Sequence, residues 1–135
     1  MNKLLIDTNV CLDVLLNREE FYLESRKILE LNLKTSTKAY ITSKQLTDIY
    51  YILRKAKLDD EKSRRAISLL IKLLRVCDIS ADDCKRALAS SINDFEDAIL
   101  SETARRYHMD YIITRNVKDY ANSIVKAIEP KEFFK

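Results

Sequence analysis

The chain has 135 residues, 24 Lys and Arg against 21 Asp and Glu, and a net charge of +3, which suits one domain spanning 1–135 that buries about two-thirds of its unfolded surface without staples. With 0 glycines and 1 histidine it has no G-x-x-x-x-G-K phosphate loop, no G-x-G-x-x-G dinucleotide turn and no G-x-S-x-G nucleophile elbow, and a Ser/His/Asp arrangement would rest on His108 alone. No apolar run approaches the roughly 18 residues of a membrane span and Asp7 interrupts the N-terminal one, so the expectation is a soluble cytoplasmic protein without membrane contact.

The elements follow in chain order. KLLID at the start predicts a buried strand that stops on a carboxylate. A helical stretch from about Val10 to Leu33 follows, broken near Asn17 to Glu20. AYIT predicts a second strand. TSKQLTDIYYILRK behind it places Leu46, Ile49, Tyr50 and Leu53 at i, i+3, i+4 and i+7, and Thr42 with Gln45 suits a capping box. DDEKSRRAISLLIKLL gives another helix, with Ala66, Leu69, Leu70 and Leu73 as its apolar face. RVCDIS predicts the third strand. Ser80 with Asp83 caps SADDCKRALASS, and Asn93 with Glu96 is the expected capping pair of NDFEDAILSETARRY. His108 decorates the end of that helix beside Arg105 and Arg106. DYIITRN is the fourth strand, and KAI before Pro130 a short fifth. Cys11, Cys77 and Cys84 have spacings of neither zinc knuckles nor redox pairs and are expected to be buried, reduced thiols.

Strands that alternate with helices pair in parallel through right-handed crossovers, with helices on both faces of the sheet. The predicted class is therefore α/β, three-layered, with a mostly parallel sheet of four to five strands.

The acids can be placed on that frame. Asp7 ends the first strand, where a carboxylate after three buried aliphatics is costly unless it is paired or coordinates a metal. Asp48 interrupts a helix interior. Asp94 and Asp97 share a face in the first turn of a helix, and Asp119 follows the fourth strand. A parallel sheet brings these to one edge. Two like charges ~4 Å apart repel by roughly 4 kcal/mol at an effective dielectric near 20, so a cluster of three or four requires a cation. Hard oxygen ligands without histidine or thiolate point to Mg²⁺ or Mn²⁺, and such sites serve phosphoryl transfer or phosphodiester hydrolysis. Asp13, Asp59, Asp60, Asp78, Asp82 and Asp83 read as solvent-facing or capping.

The stretches LLIDTNVCLDVL, ITSKQLTDIYYIL, DFEDAILSETARRYHMDYIITRNVKDY and IEPKEFF resemble the PIN-domain ribonucleases, in particular the VapC-like toxins of bacterial toxin–antitoxin pairs, over essentially the whole chain. The resemblance implies an α/β/α fold whose acidic quartet binds Mg²⁺ or Mn²⁺ and cuts single-stranded or looped RNA. It also implies a homodimer and a cognate antitoxin as partner. Its catalytic acids fall on Asp7, Asp48, Asp97 and Asp119, with Asp94 as an acidic companion, so the expected metal ligands are Asp7, Asp94, Asp97 and Asp119. Thr8, Asn9, Ser43, Thr114, Arg115 and Asn116 are the expected substrate contacts. Two departures stand out. Asp48 replaces the usual glutamate and is one methylene shorter, and Asn116 occupies a position where some members carry an acid. Both leave a second reading open, a slow or inactive domain that binds RNA or protein without cutting. A covalent phosphotransferase built on Asp7 fits less well, because Asn9 stands where a D-x-D pattern wants an acid. A receiver domain expects an acidic pair after its first strand, and Asp7 stands alone there.

Overall fold

The computed structural model describes residues 2–135. Five strands, β1 (Lys3–Ile6), β2 (Lys38–Thr42), β3 (Arg75–Cys77), β4 (Tyr111–Ile113) and β5 (Lys126–Ile128), form one sheet in the order β3-β2-β1-β4-β5. Every pairing is parallel. The helices are α1 (Thr8–Leu15), α2 (Tyr22–Leu29), α3 (Leu31–Lys34), α4 (Ser43–Lys55), α5 (Asp60–Leu73), α6 (Ala81–Leu88), α7 (Phe95–Arg106) and α8 (Pro130–Phe133), with a 3₁₀ turn at Val117–Tyr120. Among the described residues no helix is long and apolar enough to cross a membrane.

Alternation along β1 and β4 builds two cores. Leu4, Ile6 and Ile113 point to one face and pack with Val10, Ile28, Ile49, Leu53 and Leu70 from α1, α2, α4 and α5. Leu5 and Ile112 point to the other and pack with Leu100 and Ala104 of α7 and with Tyr120. Successive strand side chains must face opposite ways, so helices on both sides are needed to bury a strand with no polar face. Each fully buried Leu or Ile contributes about 1.5–3 kcal/mol.

The helix that follows each central strand starts at the sheet's carboxyl edge. Asp7 caps α1 by accepting from Thr8 N, and Thr42 and Gln45 form the capping box of α4. A chain without glycine leaves three helices through non-glycine residues in the left-handed region, Asn17, Lys57 and His108, at φ of 49°, 75° and 55°.

Five expectations need correction. The inward face of α5 is Ala66, Ile67, Leu70 and Leu73, with the buried Ser63 one turn before them, while Leu69 is 44% exposed. The cap of α7 is Asp94, whose carboxylate accepts from Asp97 N, rather than Asn93 with Glu96. Asp83 caps α6 as expected, yet it is also buried against Arg106 and Thr103. Cys84 is only half-buried, although all three thiols are free. Asp13 is the largest departure: it is 0% exposed, with Arg115 donating from Nε at 2.9 Å and Nη2 at 3.0 Å, Ser25 from Oγ at 3.0 Å and Arg18 at 3.4 Å. Val10, Asp13 and Val14 share one face of α1, so position 13 is directed inward by helical period. A buried carboxylate there is tolerated because two guanidiniums and a hydroxyl saturate it.

Candidate active site

Asp7 is the last residue before α1, and its backbone N–H still belongs to the sheet, donating to Ile113 O at 2.9 Å. The side chain is 8% exposed. Oδ1 accepts from Thr8 N at 2.7 Å, and Oδ2 accepts from Thr114 Oγ1 at 2.8 Å and from Asn9 Nδ2 and Tyr120 OH at 3.4 Å each. Thr114 is itself fixed, because its hydroxyl oxygen accepts from Asn116 N at 3.0 Å. Burial nevertheless holds the Asp7 carboxyl above the ordinary carboxylate range; its hydrogen bonds oppose that shift and the charge of Asp119 adds to it.

Asp97 approaches from the first turn of α7. Tyr120 OH lies 3.1 Å from Asp97 Oδ1, so a single hydroxyl stands between two carboxylates and has one proton to share. Burial, aided by the charges of Asp7, Asp94 and Asp119 and opposed by the Tyr120 hydrogen bond, holds Asp97 up at about 6. Burial, together with the same two acids, holds the Tyr120 hydroxyl well above the usual phenol range, so it stays a donor at neutral pH.

A cavity of about 140 Å³ opens beside this pair, lined by Asp7, Thr8, Thr42, Gln45, Asp48 and Asp97 among others. Gln45 braces its floor, with Nε2 donating to Ile6 O at 2.8 Å and to Thr8 Oγ1 at 3.3 Å. On the far wall Lys44 Nζ donates to Asp48 Oδ2 at 2.7 Å and lies 3.5 Å from Glu96 Oε1. A second, polar depression of about 280 Å³ is lined by Asp94, Asp97, Lys118, Asp119 and Asn122. Asp97 is common to both.

The structure thus joins Asp7 to Thr114 by a direct hydrogen bond and to Asp97 through the Tyr120 hydroxyl, with Thr8 and Asn9 beside Asp7. Asp48 lines the same cavity but is engaged by Lys44, and Asp94 and Asp119 flank Asp97. Ser43 and Asn116 are exposed at the periphery. Arg115 does not face the acids as a free cation: its guanidinium binds Asp13 and stacks 4.0 Å from the Phe21 ring centroid. The residues that sequence reasoning missed are Tyr120, Gln45 and Lys44. The polar tip of Tyr120, buried at a sheet edge, is the kind of group that must find a partner, yet its partners lie 23 and 113 residues away.

Among the described residues no three His, Cys, Asp or Glu side chains converge closely enough to hold a metal ion by themselves. The donor set still suits Mg²⁺ or Mn²⁺, because such an ion rests on one or two carboxylates and keeps water and phosphate oxygens for the remainder of its shell. Asp7 and Asp97, half-repelling and bridged by one proton, are the pair that a cation would relieve.

Comparison with known proteins bears on the family and the fold. A family model described as PIN domain matches residues 3–118. A chain of VapBC2 from Rickettsia felis, solved bound to a DNA fragment from its promoter, superposes with a TM-score of 0.75 at 18% identity, covering 94% of this chain and 98% of that one. A chain of a toxin–antitoxin complex from Klebsiella pneumoniae gives 0.68 at 25% identity, with 93% and 96% covered. VapC20 of Mycobacterium tuberculosis, described as a sarcin-ricin-loop-cleaving toxin, gives 0.64 at 14% identity, with 81% and 86% covered. No match was found among curated proteins.

Proposed function

The chain belongs to the PIN-domain family, and from that premise we propose that it is a metal-dependent endoribonuclease that hydrolyses RNA phosphodiester bonds as the toxin of a type II toxin–antitoxin pair. One PIN domain then spans 1–135. The observation that carries the reading is the Asp7–Tyr120–Asp97 bridge at the carboxyl edge of a parallel sheet, where open α/β proteins bind ligands.

Asp7 and Asp97 would hold Mg²⁺ or Mn²⁺ directly, and Asp94 and Asp119 would act on it through water from the adjoining depression. When bound, the ion supplies Lewis acidity to a phosphate oxygen and acidity to a nearby water. Thr114, Thr8 and Asn9 orient the Asp7 carboxylate, and Tyr120 keeps the two acids apart while lending its proton to both. Thr8, which lines the cavity, and Asn9 beside it are the groups offered to a scissile phosphate, with the exposed Asn116 and Ser43 farther out.

The protein partner is then an antitoxin, as the toxin–antitoxin complexes of similar fold suggest; the substrate is single-stranded or looped RNA in the cytoplasm, and the working form a homodimer. The test is cleavage of a panel of structured and single-stranded RNAs in Mg²⁺, in Mn²⁺ and in EDTA, with Asp7→Asn and Asp97→Asn prepared alongside. Cutting that needs the ion and vanishes in both variants bears the proposal out. A second reading, a binding module that does not cut, draws on the engagement of Asp48 by Lys44. It gains if wild type and variants retain RNA equally and none cleaves.

A further inference from the structure

Lys44 occupies a position that helix rules disfavour. It lies in the first turn of α4, which contains no acidic residue, and a cation there opposes the positive end of the helix dipole. Its partner Asp48 is four residues on, and Lys before Asp is the weaker order for such a pair. As a surface ion pair it would add little. Lys44, Asp48 and Glu96 remain 36–70% exposed, yet all three stand at the mouth of the acidic cavity. Lys44 lines the cavity that holds Asp7, Asp48 and Asp97, and its ammonium lies between Asp48, at 2.7 Å, and Glu96 of α7, at 3.5 Å. The acids around it hold the ammonium above its ordinary value, with the Asp48 hydrogen bond the largest cause. The two carboxylates that would otherwise extend the acidic pair toward α4 are thereby given a cation that belongs to the chain.

We infer that Lys44 is a built-in counter-cation that takes the place of a second divalent ion, holding Asp48 and Glu96 out of the metal shell so that the site accepts one ion on Asp7 and Asp97. The inference rests on the ion site proposed above. It explains why the short Asp48 side chain is sufficient: the chain asks it to reach a lysine one helical turn away, not an ion beside Asp7. Lys44 is accordingly a positioning residue, acting through Asp48 and Glu96.

The test counts Mn²⁺ ions per chain by calorimetry and electron paramagnetic resonance on folded protein without RNA, so its readout is independent of cleavage. Wild type is expected to bind one ion, lost in Asp7→Asn. Lys44→Met is expected to bind two, Lys44→Arg one, and the double variant Lys44→Met with Asp48→Asn one again. A Lys44→Met protein that still binds a single ion, even more tightly, reflects lost charge alone and overturns the inference while leaving the proposed function standing. Two ions in the wild type also overturn it. A wild type that binds none removes the ion site, and with it both readings.

Discussion

Replacing Tyr120 by phenylalanine removes one hydroxyl from a side chain that is 2% exposed and leaves its packing against Leu5, Leu100 and Ile112 in place. The lost group is the donor standing 3.1 Å from Asp97 Oδ1 and 3.4 Å from Asp7 Oδ2. A hydrogen bond to a charged acceptor is worth about 1.5–3 kcal/mol. One pKa unit corresponds to about 1.36 kcal/mol, and Asp97 is only half-buried. The Asp97 midpoint in metal-free protein is therefore expected to rise from about 6 by roughly one unit. Because the folded carboxyl titrates above its ordinary 3.8, the folded state binds more protons than the unfolded state between those values. Stability therefore falls as pH rises through that window. Raising the folded midpoint deepens the fall, so Tyr120→Phe is penalised more above the window than below it. At about 3.5 °C per kcal/mol for a chain of this size, the expected loss in Tm is about 5 °C near neutral pH and about 2 °C or less below pH 4.5. Carbon NMR of the Asp97 carboxyl and thermal unfolding in EDTA at the two pH values read both effects. An unmoved midpoint, or an equal Tm loss at both pH values, would refute the claim that this hydroxyl serves the two carboxylates.

Mn²⁺ or Mg²⁺ competes with the proton on Asp97, so the rise in Tm on adding either ion is expected to be larger at neutral pH than at pH 5; equal rises would place the ion elsewhere. Arg115→Met strips the buried Asp13 of its two-pronged partner and is expected to cost about 3–5 kcal/mol in urea unfolding, while a loss below about 1 kcal/mol would show that Arg18 and Ser25 suffice. Ser63 Oγ is buried without a hydrogen-bond partner, so Ser63→Ala is expected to be neutral or stabilising by up to about 1 kcal/mol. A clear destabilisation would mean that the hydroxyl has a partner in solution.

Much of the architecture was legible before any coordinates. The alternation of KLLID, AYIT, RVCDIS, DYIITRN and KAI with amphipathic stretches led to a parallel α/β sheet, because an apolar run without a polar face has to be covered on both sides. The Thr42–Gln45 box was readable because capping works over three residues. The α7 cap falls on Asp94, one residue after the expected Asn93, because Asn93, Asp94, Glu96 and Asp97 offer two registers of the same signal. Leu69 was assigned to the core because a helix with Leu69, Leu70, Ile71, Leu73 and Leu74 in near succession has more apolar residues than one face can bury.

The site divides along the same line. The sequence by itself determined that Asp7 ends a buried strand, that Asp94 and Asp97 open a helix, and that a parallel sheet brings these ends to one edge; each follows from spacing within a few residues. Only the tertiary structure decided that Tyr120 stands between Asp7 and Asp97, that Asp13 is buried on Arg115 and that Lys44 of α4 also meets Glu96 of α7. Those pairings join residues as much as 113 apart in the chain. The physical reason is that a buried carboxylate must be neutralised, and which distant donor or cation does so is set by how the elements pack.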